Sequence, residues 1–185
     1  MYFKNIVLVT LTALVASSQA APVTEVSPNT ARSWIPALFR RAAPCNANDA
    51  YCLTDSLLFS SNMNQFLAAR NSQYYANILD YNSDGCSVPP LLTQLGSFNK
   101  DTPYGYGFVH SCIRHDFGYR NYQRQGRCLL HKLTLDNLFL SDLNAQCDWE
   151  FSAQNPNRPA PPRNLKECKD WANLYYSGVR LAGLC

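Results

Sequence analysis

A histidine and an aspartate are the first residues whose types and spacing could do chemistry together. His115 and Asp136 are 21 residues apart, which on one continuous helix would separate them by about 31 Å. Gly126 lies almost midway between them, and two antiparallel helices joined there would bring the two side chains together. A carboxylate bound to one imidazole nitrogen fixes the tautomer, so the other nitrogen can take a proton as a general base.

A second group of residues has the oxygen ligands that a calcium ion prefers. Cys112 and Asp116 are four residues apart, so they share one face of a helix. If Cys112 were bound to Cys86, Asp84 and the carbonyl of Gly85 would be carried towards Asp116. Two carboxylates with backbone and water oxygens suit calcium. An aspartate before a glycine is also typical of an ordinary turn, which is the alternative interpretation of Asp84.

Helices are the elements that must position these residues, because the alternating pattern of strands is absent. A long loop is expected over 81–110, and a Pro- and Asn-rich stretch over 152–163. The predicted fold class is all-α, with disulfides and one long ordered loop. The predicted helical segments are one capped by Thr54 or Asp55, then 73–80, 111–125, 129–146, and a stripe from Leu165 to Val179.

The eight cysteines indicate an exported protein held by disulfides. Their number is even and all of them follow residue 41. The sequence has no Cys-x-x-Cys pair, so a zinc cluster or a redox motif is not expected. Four disulfides are expected, but roughly a hundred pairings are possible and the sequence does not choose among them. The cysteines are Cys45, Cys52, Cys86, Cys112, Cys128, Cys147, Cys168 and Cys185.

The start of the chain is typical of a secretory signal peptide, predicted over 1–20. Lys4 precedes an apolar run over 6–16, and small residues lead to Ala20. The run is shorter than the roughly 20 residues that a membrane-spanning helix needs. We therefore expect a secreted, extracellular protein.

A basic pair at Arg40 and Arg41 suggests a propeptide over 21–41 and a mature domain over 42–185, although an unprocessed exposed pair would look the same. Of the 16 basic and 13 acidic side chains, residues 1–41 contain four basic ones and one acidic one. The remaining chain therefore has 12 of each and is neutral. A neutral domain lacks the basic field of a nucleic-acid-binding protein, so no nucleic-acid partner is expected.

The ten residues from Cys112 to Asn121 resemble the helix signature of secreted phospholipase A2 of the bacterial and fungal type. An Asp follows at the family's spacing at 136, and an Asp-x-Cys precedes at 84–86. The resemblance covers residues 80–170 and implies an antiparallel helix pair with a calcium-binding loop and additional helices. The Gly- and Cys-rich calcium loop of the animal enzymes is absent, and four cysteines exceed the minimal pattern of the bacterial ones.

The resemblance implies a role for each residue of the two groups. His115 would be the base and Asp136 its orienting partner. Calcium would be the cofactor, bound by Asp84, the carbonyl of Gly85 and Asp116. The implied disulfides are Cys86–Cys112 and Cys147–Cys168, and the pairing of the other four cysteines stays open.

The implied activity is calcium-dependent hydrolysis of the sn-2 ester of glycerophospholipids, in which the histidine activates a water. The Gly-x-Ser-x-Gly motif of serine hydrolases is absent. A monomer would meet a phospholipid membrane or micelle surface. The alternative is a secreted, non-enzymatic, disulfide-rich module that binds lipid or protein. Residues that could form an apolar rim, or equally pack in the core, are Leu91, Leu92, Leu95, Phe98, Tyr104 and Tyr106.

Overall fold

Five helices form the computed structural model, which describes residues 45–87, 99–182 and 185. Within these residues there is no strand, so the all-α prediction is confirmed. A π-helical turn, Ser56–Ser60, and a 3-10 turn, Pro103–Gly105, add to the helices. The predicted signal peptide and propeptide lie outside the described residues. The helices are α1 (Ala50–Asp55), α2 (Met63–Asn71), α3 (Val109–Arg124), α4 (Cys128–Glu150) and α5 (Leu165–Ala182).

No helix among the described residues is both long enough and apolar enough to cross a bilayer.

The first helix begins earlier than the sequence pattern predicted. Asp49 is its cap, because its carboxylate accepts from the backbone N–H of Cys52 at 3.0 Å. The predicted caps Thr54 and Asp55 therefore lie inside or at the end of α1, and the prediction was wrong by about one turn. The hydroxyl of Thr54 instead donates to the carbonyl of Ala50 at 2.6 Å. An i−4 bond of this kind satisfies a hydroxyl within a helix.

The predicted helix over 73–80 is wrong, because α2 ends at Asn71 and turns follow. Gln73 and Tyr75 have φ angles of 54° and 56°. L-amino acids with a side chain rarely adopt such backbone angles, and a right-handed helix does not contain them. Of the apolar residues that suggested a helix, Leu79 is only 2% exposed and is buried through the turn instead, whereas Tyr74 is 48% exposed.

The helices α3 and α4 form a hairpin, and they carry His115 and Asp136 respectively. Only residues 125–127 separate the two helices, and Gly126 lies among them with a φ of 68°. A glycine adopts this angle without steric cost, so the chain reverses within one turn. Gly118 lets the two helices approach closely, because a Cβ there would lie 2.8 Å from the Cδ2 of Leu135.

All eight cysteines are paired in four disulfides. The bonds Cys86–Cys112 and Cys147–Cys168 are the two that the family resemblance implied. The first ties the loop before residue 88 to α3, and the second ties α4 to α5. The four cysteines left open form Cys45–Cys52 and Cys128–Cys185.

Two apolar cores flank the hairpin, and the ring of His115 lies between them. The ring centroid is 4.5 Å from that of Tyr119, in the first core, and 4.6 Å from that of Phe139, in the second. The first core joins residues 53–81 to α3 and α4, and the second joins the segment before α3 to α3, α4 and α5. The most deeply buried side chains are Leu58, Phe66 and Phe117 in the first core, and Tyr106, Phe108 and Leu143 in the second.

Candidate active site

The hairpin brings His115 on α3 into hydrogen-bond contact with Asp136 on α4. The Nε2 atom of the histidine lies 3.0 Å from Oδ1 of the aspartate. The carboxylate is completely buried, and 9% of the histidine side chain is exposed. Because an ionised carboxylate only accepts hydrogen bonds, it selects the tautomer with the proton on Nε2. The Nδ1 atom is then the nitrogen that can accept a proton.

The carboxylate of Asp136 receives four hydrogen bonds, two on each oxygen. Oδ1 accepts from His115 and from the hydroxyl of Tyr119, the latter at 2.7 Å. Oδ2 accepts from Lys132 Nζ at 2.7 Å and from the guanidinium of Arg180 at 2.8 Å. Tyr119 lies one turn after His115, and Lys132 one turn before Asp136. Arg180 comes from the last turn of α5.

These donors keep Asp136 ionised. Burial alone would raise the pKa of its carboxyl group, but the hydrogen bonds from His115, Lys132, Tyr119 and Arg180 outweigh burial and lower the pKa well below its ordinary value. Burial and the hydrogen bond to Asp136 raise the pKa of Tyr119 far above its ordinary value, so its hydroxyl remains a donor. The histidine therefore faces a permanent hydrogen-bond acceptor.

The predicted calcium ligands come from the loop at residues 84–86 and from α3. Asp116 follows the histidine on α3 and is half-buried, whereas Asp84 is exposed in the loop that the Cys86–Cys112 disulfide ties to α3. The hydroxyl of Ser83 donates to Asp116 Oδ2 at 2.6 Å. Burial raises the pKa of Asp116, and the negative charge of Asp84 raises it further, against the effect of Ser83. The charge of Asp84 therefore disfavours the ionised form of Asp116.

Gly85 has a backbone conformation that the loop requires. Its φ is 78°, and a Cβ at this position would lie 2.5 Å from Oδ1 of Asp101. The same oxygen accepts from the backbone N–H of Cys86 at 2.7 Å, which holds the loop in place. The ammonium of Lys100 donates to the backbone carbonyl of Asp84 at 2.5 Å, so one backbone oxygen of this loop already has a cationic partner.

This donor set fits a hard divalent cation. Among the described residues, no three side chains of His, Cys, Asp or Glu converge as a metal site, so a metal here would depend on two carboxylates and a backbone carbonyl. Oxygen ligands of this kind suit calcium, which also retains water. Burial is the main cause of the raised pKa of Asp116, and a cation beside this carboxylate would favour its ionised form.

The comparison with known proteins decides the family. A family model described as prokaryotic phospholipase A2 matches residues 54–183. The chain belongs to the prokaryotic phospholipase A2 family. The resemblance inferred from the sequence is therefore confirmed, and membership assigns the chain to the phospholipase A2 enzymes.

Two fungal proteins similar to this chain are both named secretory phospholipase A2. The protein of Arthroderma benhamiae is 36% identical over 143 residues, which are 77% of this chain and 83% of that protein. The protein of Beauveria bassiana is 34% identical over 131 residues, which are 71% of this chain and 57% of that protein. The matched region of the second relative is therefore little more than half of its length.

The sequence reasoning missed three of the four donors to Asp136. Lys132 could have been found, because it lies four residues before Asp136 on the same predicted helix. Tyr119 could also have been found, because it lies four residues after His115. Arg180 gave no such signal, since only the packing of α5 against α4 brings it to the carboxylate.

Several basic and aromatic residues of this phospholipase A2 have internal partners. The guanidinium of Arg127 lies 2.6 Å from Asp55 and stacks over the ring of Tyr122. Tyr106 is buried and donates to Glu167 at 2.9 Å, so it is a core residue rather than part of a rim. Tyr104 is 64% exposed. The other rim candidates, Leu91, Leu92, Leu95 and Phe98, lie outside the described residues.

Proposed function

We propose that the protein hydrolyses the sn-2 ester of glycerophospholipids and releases a fatty acid and a lysophospholipid. The observation that carries this proposal is the 3.0 Å hydrogen bond of His115 Nε2 to the buried Asp136, with Asp116 as the next residue on the same helix. Family membership supports lipid hydrolysis as the reaction class.

In the proposed reaction, Nδ1 of His115 takes a proton from a water as that water attacks the ester carbonyl. Asp136 stabilises the imidazolium that forms and keeps the ring in the orientation that aims Nδ1 at the water. The proton is then available for the departing glycerol oxygen. No covalent intermediate with the protein is required.

We propose calcium as the cofactor, held by the carboxylates of Asp84 and Asp116 and by the carbonyl of Gly85. When bound, the ion would supply a Lewis acid for the phosphate and for the ester carbonyl oxygen. The role of this chain is to hold the loop, through the Cys86–Cys112 disulfide and the bond from Cys86 N–H to Asp101.

We further propose that the protein acts outside the cell as a monomer of residues 42–185, after loss of a signal peptide over 1–20 and a propeptide over 21–41. Four disulfides and the names of the two fungal relatives support secretion. The partner is a phospholipid membrane or micelle surface, and no nucleic acid is expected for a neutral domain.

The test measures fatty-acid release from phosphatidylcholine that carries different acyl chains at sn-1 and sn-2. The protein is secreted by a host and purified from the medium. We expect release of the sn-2 chain alone, and loss of release with excess chelator. His115→Ala should abolish release, whereas His110→Ala, a matched change at an exposed histidine of the same helix, should not.

Two outcomes would contradict the proposal. Full release by the His115→Ala variant would exclude this histidine as the base, and release that excess chelator does not change would exclude the calcium mechanism. If the wild-type protein binds phospholipid vesicles but releases no fatty acid, the non-enzymatic binding module is the better interpretation.

A further inference from the structure

The carboxylate of Asp136 accepts hydrogen bonds from two cationic side chains that have no role in the reaction proposed above. Lys132 Nζ and the guanidinium of Arg180 lie 2.7 Å and 2.8 Å from Oδ2, whereas His115 and Tyr119 bind Oδ1. One cation is enough to offset a single buried negative charge. The second cation therefore calls for a role beyond charge balance.

The division of the donors between the two oxygens determines how the carboxylate is oriented. The terminal torsion of an aspartate is broad, so a carboxylate held at one oxygen can rotate. Donors on Oδ2 from two different helices, Lys132 on α4 and Arg180 on α5, restrict that rotation. Oδ1 is then held at 3.0 Å from Nε2 of His115. A catalytic base needs such positioning, because a misplacement of about 1 Å can lower a rate by about 100-fold.

Lys132 cannot provide this restraint alone. Its ammonium is shared, since it also donates to the carbonyl of Val179 at 2.9 Å. Lys132 and Asp136 are on the same helix, so Lys132 ties the carboxylate to α5 only indirectly, through the carbonyl of Val179. Arg180 donates directly to the carboxylate from α5 through Nη1, and the Cys128–Cys185 disulfide holds Cys185, which follows α5, near the start of α4.

We propose that Arg180 is a positioning residue for the hydrolytic reaction, that Lys132 assists it, and that the last turn of α5 is thereby part of the catalytic apparatus. The proposal rests on the function proposed above. Arg180 touches neither the water nor the ester in that reaction and acts through Asp136 on His115.

The test compares Arg180→Ala and Arg180→Lys with the wild-type full-length protein secreted by a host. The matched control is Arg158→Ala, at an exposed arginine in the stretch between α4 and α5. We expect Arg180→Ala to lower kcat about 10-fold to 100-fold with KM unchanged, because the side chain does not contact substrate. Arg180→Lys should retain more activity than Arg180→Ala.

Chemical rescue separates a positioning role from a structural one. The side chain of Arg180 is 36% exposed, so millimolar guanidinium can reach the space that Arg180→Ala opens. We expect added guanidinium to restore part of kcat in Arg180→Ala and to leave the Arg158→Ala control unchanged.

A second measurement does not depend on activity. With ¹⁵N-labelled histidine, the proton that His115 Nε2 donates to Asp136 should give a downfield NMR signal in the wild-type protein. In Arg180→Ala this signal should shift upfield or broaden by exchange, and in Arg158→Ala it should not.

Two results would overturn the proposal. One is a kcat and an Nε2–H signal in Arg180→Ala that match those of the control. The other is a loss of kcat that neither guanidinium nor the Arg180→Lys variant restores while the melting temperature falls, which indicates a structural role only. If the wild-type protein releases no fatty acid, the proposed function fails, and the NMR comparison still decides whether Arg180 positions the pair.

Discussion

Replacing Asp136 by asparagine tests the hydrogen-bond pattern of the active site most directly. An asparagine has one carbonyl oxygen that accepts and one amide group that donates. Lys132 and Arg180 only donate, so the amide oxygen must face them. The amide group then faces Nε2 of His115, which has to accept, and the histidine proton moves to Nδ1. The nitrogen that should take a proton from water is then already protonated.

The expected loss of kcat in Asp136→Asn is large, because this isosteric change selects the wrong tautomer of His115. A Ser-His-Asp triad loses about 10⁴-fold in kcat from the corresponding change, which is about 5.4 kcal/mol of activation free energy. Asp136→Ala leaves Nε2 without a fixed partner but forces no tautomer, so its loss should be smaller, about 100-fold. Both should retain more activity than His115→Ala.

The assay is fatty-acid release at saturating calcium, with Asp148→Asn as the matched control. Asp148 lies on the same helix and forms an exposed ion pair with Lys169 at 2.7 Å, so its loss should hardly matter. Both changes at Asp136 should also lower the free energy of unfolding. Removing one partner of a fully buried ion pair costs about 3–5 kcal/mol, and the cost here should be smaller because Lys132 and Arg180 reach solvent. A variant Asp136→Asn that is as active as Asp136→Ala, or more active, would refute the reasoning.

Three further predictions concern a proposed calcium ligand, the Cys128–Cys185 disulfide and a buried aspartate. Asp116→Asn should weaken calcium binding at least about 10-fold by calorimetry, and an unchanged affinity would exclude Asp116 as a ligand. Cys128 and Cys185 are 57 residues apart, so replacing both by serine should cost about 4 kcal/mol of unfolding free energy; an unchanged melting temperature would contradict this. Burial outweighs the attraction of Arg114 and raises the pKa of Asp142 to about 6. The stability from this group is therefore present below about pH 4 and is lost, by about 3 kcal/mol, as the pH rises through 6. Asp142→Asn should flatten the melting-temperature profile in that window, and an unaltered profile would argue against the shift.

The local sequence pattern was sufficient to predict the helical hairpin. A glycine between two helical segments predicts the reversal, and nearly equal distances in sequence from Gly126 to His115 and to Asp136 predict that these two residues meet. The structure places them 3.0 Å apart. This prediction succeeded because helix geometry and a short connection leave little freedom in the register.

The local pattern failed where apolar residues are buried without forming a helix. Leu79 is buried by tertiary packing through a turn, and periodicity alone cannot distinguish this from an amphipathic helix. The positive φ angles of Gln73 and Tyr75 were also not predictable, because neither residue type favours that conformation.

The sequence by itself determined the helical class, the family, the histidine–aspartate pair and the even set of cysteines. Each of these depends on residue types at short or regular spacing, which the chain displays before it folds. Only the tertiary structure decided that Cys128 pairs with Cys185 and that Arg180 reaches Asp136. Arg180 lies 44 residues beyond that aspartate, and the two side chains meet only because α5 packs along α4, a contact that no local periodicity encodes.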